Sequence, residues 1–300
     1  MRNDSYWKPG QPYLDEIYYR IIPDSASRAL ALETGQVQLT QAGDLEPFDV
    51  PRFAAQPNLV LETKGWEMFA PVAWMELNLR DKPLDDKRFR QALMHALDRN
   101  FIRDKIFFGL GKVAPGPIAE ATRFYEPSLK PYPYDPKKAN ALLDEMGLKP
   151  DAQGVRTQIK MLSLPYGEVW TRLAEYCKQA FAQVGIAVTI ESTDAGAWSS
   201  RIGNWDYQTS FNFLYQYGDP SLGVARTYIS SNIKKITFTN TEGYKNPEVD
   251  ALFEKAAFEP VTAERQKLFS QVQKLLVEDV PVVWLMQLEF PTIYDKRCTT

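Results

Sequence analysis

The sequence predicts an α/β protein built from two lobes of unequal size. Residues 157–162, 168–184 and 186–190 read as strand, helix and strand, the order of a right-handed crossover between parallel strands. The texture changes at Asp81-Lys82-Pro83-Leu84-Asp85-Asp86, where a β-rich unit gives way to helical periodicity. Three hundred residues also exceed what one small core needs.

Trp7 to Tyr13 is turn-rich, and 17–22 (IYYRII) is a β-rich run stopped by Pro23. Asp24 and Ser25 cap a helix through Glu33, with Gly35 as its stop. Ala29 to Leu32 make that helix apolar on most sides and predict its burial. Residues 37–39, 59–63 and 72–78 read as strands, with a loop from Pro47 to Pro57 between the first two.

Asp85 or Asp86 caps a helix whose Phe89, Ala92, Leu93, Ala96 and Leu97 fall on one face. A second helix follows from Asn100 to Gly109, with Ile102, Ile106 and Phe107 inward. Residues 114–134 form a proline-rich loop. Asp135-Pro136 supplies a cap and an N1 proline for a helix ending at Gly147. Beyond the crossover lie a short helix (194–202), helices at 247–257 and 262–277, and a buried strand at 281–286.

Residues 205–217 (WDYQTSFNFLYQY) alternate strictly. Trp205, Tyr207, Thr209, Phe211, Phe213, Tyr215 and Tyr217 occupy the odd positions, and hydrogen-bonding side chains fill most of the even ones. The pattern predicts a strand broken by Gly218-Asp219-Pro220. Its aromatic face reads either as core or, at its end, as the wall of a ligand cleft.

The chain is 44% hydrophobic and 24% charged, ordinary for a globular protein. Net charge −3 and a pI near 5.5 argue against a nucleic-acid surface. No apolar run reaches the ~20 residues of a membrane helix. Cys177 and Cys298 read as unpaired thiols. Phosphate loop, dinucleotide fingerprint, zinc spacing and nucleophile elbow are all missing, and the lone His95 sits beside apolar helix positions. No carboxylate pair stands out for glycoside hydrolysis. These absences argue against an enzyme and mark out no cofactor or metal site.

Several stretches resemble the extracytoplasmic solute-binding proteins of ABC importers, family 5 (peptide/nickel/opine-binding). They include Tyr6-Trp7 with Pro12-Tyr13-Leu14-Asp15-Glu16-Ile17, Ile22-Pro23-Asp24, Ala29 to Gly35, and Pro83-Leu84-Asp85-Asp86 with Arg88-Phe89-Arg90. Pro115-Gly116-Pro117, Tyr134-Asp135-Pro136, Asp219-Pro220, Asn246-Pro247-Glu248-Val249-Asp250 and Asp279-Val280-Pro281 continue the series in order.

The resemblance implies a two-lobe periplasmic-binding-protein-like fold (type II, cluster C) that closes on ligand about a hinge. On that map residues 1–77 are the later part of lobe one, 78–285 are lobe two, and 286–300 begin the return crossing. Lobe two is then nearly complete and lobe one truncated, so the chain resembles a fragment that folds in lobe two and binds ligand poorly. The implied function is capture of an oligopeptide or related small polar solute and its delivery to a membrane permease, by a periplasmic monomer. A chaperone-like or chemosensory role, with an opine or sugar conjugate as ligand, is the alternative.

The resemblance places the ligand near the end of 205–217. Peptide binders of the family carry an aspartate that pairs with the ligand's α-amino group, and the matching position here is Gln216, with Asp219 nearby. An uncharged amide holds an ammonium less firmly, which opens the ligand class beyond free peptides. Tyr215 and Tyr217 adjoin it. Trp198 and Tyr215 are stacking surfaces or core, and Arg226 pairs either a ligand carboxylate or phosphate or a structural partner.

Overall fold

The structure is a computed structural model that describes residues 2–298; Thr299 and Thr300, the end of the expected return crossing, lie outside the described residues. In chain order the elements begin with α1 (Ser25–Glu33), β1 (Leu39–Thr40), α2 (Val50–Ala54), β2 (Leu59–Glu62) and β3 (Val72–Leu77). Next come α3 (Lys87–Ala96), α4 (Arg99–Phe101), which runs on as a π-helical turn Ile102–Ile106, and β4 (Gly111–Val113). After α5 (Pro136–Glu145) comes the crossover of β5 (Thr157–Leu162), α6 (Glu168–Ala182) and β6 (Ile186–Glu191). Then follow α7 (Ala195–Asn204), β7 (Thr209–Leu214), α8 (Pro220–Gly223), α9 (Ala225–Tyr228), α10 (Pro247–Phe258), α11 (Thr262–Asp279), β8 (Val283–Leu288) and β9 (Thr292–Asp295).

The strands form two sheets. A small sheet has the order β1-β9-β2, and a large one the order β4-β8-β3-β7-β5-β6. In the large sheet β5 runs parallel to both β6 and β7, as the crossover requires, and the other pairs are antiparallel. Each sheet carries its own apolar cluster. The small one gathers Ala29, Leu32, Leu45, Val50, Phe53, Leu59 and Ile293. The large one extends from Ala70 to Leu288 and includes Phe89, Leu93, Phe181, Phe211 and Trp284.

Local chemistry sets the helix starts. Asp24, Asp86, Asp135 and Asp194 each accept a backbone N–H within the first turn of the helix that follows. The inward positions of α3 are fully buried as their spacing predicts. Leu30 of α1 points outward, so that helix buries one side only.

All six residues of β3 are buried, and the strand sits inside the large sheet between β7 and β8, so we take the small unit to lie before Val72. After β8 the chain passes to β9, which pairs with β1 and β2 in the small sheet. Two expectations need correction. The run 17–22 forms no strand; Tyr18, Tyr19 and Ile21 are exposed, Ile21 at 95%, because β-prone residues without a partner ladder gain little from extension. The alternating stretch 205–217 is strand only over Thr209–Leu214, since Trp205 takes a left-handed conformation to close α7. Both faces of β7 are largely buried, so its polar face is not solvated.

Candidate ligand-binding cleft

Between the two sheets lies a cleft of about 400 Å³ lined from both sides. The small unit contributes Arg28 and the loop from Ala42 to Pro47. The large unit contributes Tyr166, Trp170, Phe213 and Tyr215, and the return segment adds Phe290. Phe213 and Tyr215 come from the odd face of β7 and the residue just beyond it. Trp170 comes from the first turn of α6 and stacks on Phe213, with ring centroids 5.7 Å apart and planes within 8°. Phe290 meets Phe213 edge-on at 5.9 Å and Tyr215 at 6.4 Å. Beyond Tyr215 the aromatic row continues through Phe69 at 5.3 Å to Tyr217. Such a wall offers large apolar area and edge-to-face contacts to a ligand.

The polar groups at the cleft are mostly engaged. Arg28 donates from Nε to the Asp44 carbonyl at 2.5 Å and from Nη1 to the carbonyls of Ile22 and Pro23. It thereby fixes the loop that carries Asp44 and Glu46. Glu46 reaches across the cleft to α6, as described below. Burial pushes the Tyr215 phenol above its ordinary range, so it is a neutral donor at physiological pH.

The even face of β7 turns away into the core. The indole N–H of Trp198 donates to Ser210 Oγ, and Asn212 donates to the buried Glu76 at 3.0 Å. Glu76 also accepts from Thr241 and Tyr207.

Of the six residues singled out from sequence, Tyr215 lines the cleft. Gln216 is 3% exposed, and both ends of its amide are used: Oε1 accepts from Ala119 N at 2.9 Å and Nε2 donates to Pro117 O at 2.7 Å. It ties the proline-rich loop to the end of β7. Asp219 caps α8 and is locked to Arg265. Trp198 is fully buried, so it presents no free ring face for stacking. Tyr217 is 37% exposed and adopts φ +52°, an uncommon conformation for a side chain of its size.

Arg226 leans over the Tyr217 ring at 5.7 Å, and its Nη2 lies 3.4 Å from the Tyr215 carbonyl. Its Nε also donates to the Gly223 carbonyl at 3.3 Å, and burial lowers its pKa. Sequence reasoning missed Tyr166, Trp170, Phe290 and Arg28. Only Phe213 carried a signal, being two residues before Tyr215 on the same face.

The model of the bacterial extracellular solute-binding proteins, family 5, middle, matches residues 1–235. The chain belongs to this family. It is 28% identical over 305 residues to the glutathione-binding protein GsiB of Pectobacterium atrosepticum, covering 98% of this chain and 56% of that protein. Among solved structures it resembles the periplasmic binding protein DppA of Helicobacter pylori in complex with peptide STSA. There the TM-score is 0.85 and the identity 26%, over 98% of this chain and 55% of DppA. NikA of Brucella suis, solved with Fe(III)-EDTA, shares the fold with a TM-score of 0.84 and 23% identity, over 98% of this chain and 60% of NikA. The family member described here thus spans about half the length of these relatives. No helix among its described residues is long and apolar enough to cross a membrane.

Proposed function

We propose that the chain is the solute-recognising part of an ABC import system, taking an oligopeptide or related small polar solute into the cleft between its two units. Delivery to a membrane permease outside the cytoplasm follows, with no catalytic step and with the protein acting as a monomer. The observation that carries this reading is the composition of the cleft. One wall is a continuous aromatic surface from Trp170 to Tyr215, and the facing wall is the loop from Ala42 to Pro47 on a separate unit. Closing the two walls on a solute buries the rings against it, so ligand affinity favours the closed state. A glutathione-binding relative and a peptide-bound structural neighbour both support a peptide-like ligand.

Tyr215 is the residue to which we assign contact with ligand, with Phe213, Trp170 and Phe290 beside it. Tyr217 and Arg226 lie at the end of the same aromatic row, where Arg226, held by the carbonyls of Gly223 and Tyr215, is the cation we assign to a ligand carboxylate. Gln216 and Trp198 act by holding this surface in place, while Asp219 is committed to α8 and Arg265.

Native mass spectrometry of the protein purified without refolding tests the proposal. The expectation of weak binding rests on a missing cleft wall; both walls lie within this chain, so a co-purifying solute of defined mass that Tyr215→Ala releases is the expected result. Weak, sequence-tolerant binding of denatured chains, with no saturable solute, would overturn import in favour of a chaperone-like role.

A further inference from the structure

We infer that Glu46 is a clasp between the two units, capping α6 from across the cleft. Helix α6 has no side-chain cap of its own: the residue before it is Gly167, at φ +113°. The side chain that satisfies its first N–H groups comes instead from the small unit, 122 residues earlier in the chain. Glu46 Oε1 accepts from Glu168 N at 2.8 Å, and Oε2 accepts from Val169 N at 3.2 Å. The carboxylate is aligned with the positive end of a 15-residue helix, and Glu46 is only 6% exposed.

Gly167 makes the approach possible. A Cβ at that position would stand 2.9 Å from Glu46 Oε1. Two residues beyond Glu46, Phe48 lies beneath the Arg172 guanidinium of α6 at 4.6 Å and meets Phe108 edge-on. The loop of the small unit therefore grips the helix that carries Trp170, at two successive points.

Separating the units exposes the α6 N-terminus and the Glu46 carboxylate together. The clasp consequently sets the balance between a closed and an open cleft before any solute arrives, and it must release for a solute to enter. Glu46 is a positioning residue in this account. The inference rests on the two-unit reading of the cleft but not on what fills it.

The test is a ligand-free distance measurement by electron-electron resonance on the 300-residue chain. Spin labels are placed at Gln36→Cys and Gln179→Cys, both on exposed positions, in a Cys298→Ser background that removes the exposed native thiol. The starting protein should give a narrow distribution. Glu46→Gln should move roughly tenfold more of the population to longer distances, the size expected for loss of a charged cap. Phe48→Ala, which leaves the cap intact, should shift it the same way by a smaller factor. Amide exchange within the large sheet should stay unchanged, showing that only the contact between units has loosened. Unaltered distances in both variants would overturn the clasp. Such a result would leave the solute-binding proposal standing, because that one is judged by native mass spectrometry.

Discussion

Asp219 and Arg265 face each other through two parallel hydrogen bonds, each 3.0 Å long, that join the start of α8 to α11. The same carboxylate caps α8 by accepting from Ser221 N, and the guanidinium also lies over Phe124 and Phe269. An aspartate so occupied is an architectural group. Both side chains retain 18% exposure, so the pair sits between the surface and core limits. Arg265→Ala should cost about 2 kcal/mol of stability in urea unfolding, from the lost bidentate pair and the carboxylate left behind. Solute affinity should change by less than roughly twofold, since the pair does not line the cleft.

Gln216 gives a sharper contrast. An acid at this position, Gln216→Asp, restores the residue type that the family resemblance associates with a peptide amino group. The structure predicts the opposite of a gain. The shorter carboxylate loses the donor to Pro117 O and places a charge where the side chain is buried. Calorimetry should show destabilisation of about 2–3 kcal/mol and no improvement in peptide affinity. The surroundings are tight: Gly223 packs so close that a Cβ there would stand 2.2 Å from Gln216 Cα, and Gly223→Ala should impair folding on its own.

Tyr215→Ala removes the ring that bridges Phe213, Phe69 and Phe290. Titration calorimetry with the co-purified solute should record a loss of roughly tenfold or more. Tyr215→Phe keeps the ring and separates its stacking from its hydroxyl. Retained affinity in that variant, with loss in the alanine one, assigns recognition to the aromatic face.

Glu76 and Glu242 supply the pH dependence. Burial raises the pKa of both, and Glu242 Oε2 has no hydrogen-bond partner among the described residues. A carboxyl whose folded value is raised binds its proton more tightly in the folded state than in the unfolded one. Its stabilising contribution is complete below the ordinary glutamate range and is lost as pH rises through the raised folded values. The melting midpoint should fall as pH rises above the ordinary glutamate range and through the raised folded values. Glu242→Gln should flatten that slope and raise the midpoint above that range by roughly 3 °C.

Features decided within a few residues were legible in the sequence. The capping aspartates, the inward face of α3 and the parallel crossover all followed from spacing and turn chemistry. Features decided by distant partners were not. β3 reads locally as an apolar run, and nothing in Val72 to Leu77 says that β7 and β8 flank it. The alternation of 205–217 outruns its ladder because the residues past Leu214 keep the period while the backbone bonding dwindles to Gln216 N on Phe69 O. At the site, Tyr215 stood out as the end of a strand. Trp170, Phe290 and the loop at Glu46 come from three other parts of the chain, and only the folded arrangement brings them to it.

β9 is the middle strand of the small sheet, hydrogen-bonded to β1 on one side and β2 on the other. That placement imposes an order in time. β1 and β2 leave the ribosome early, yet neither has a ladder partner until Thr292–Asp295 has been made. At ordinary synthesis rates they wait on the order of ten seconds or more. β3, already made, likewise waits for β7 and then β8 to pair on its two edges. The two units are thus completed almost together, at the end of this stretch of chain, and a nascent chain stalled before β9 holds neither a closed small sheet nor a cleft.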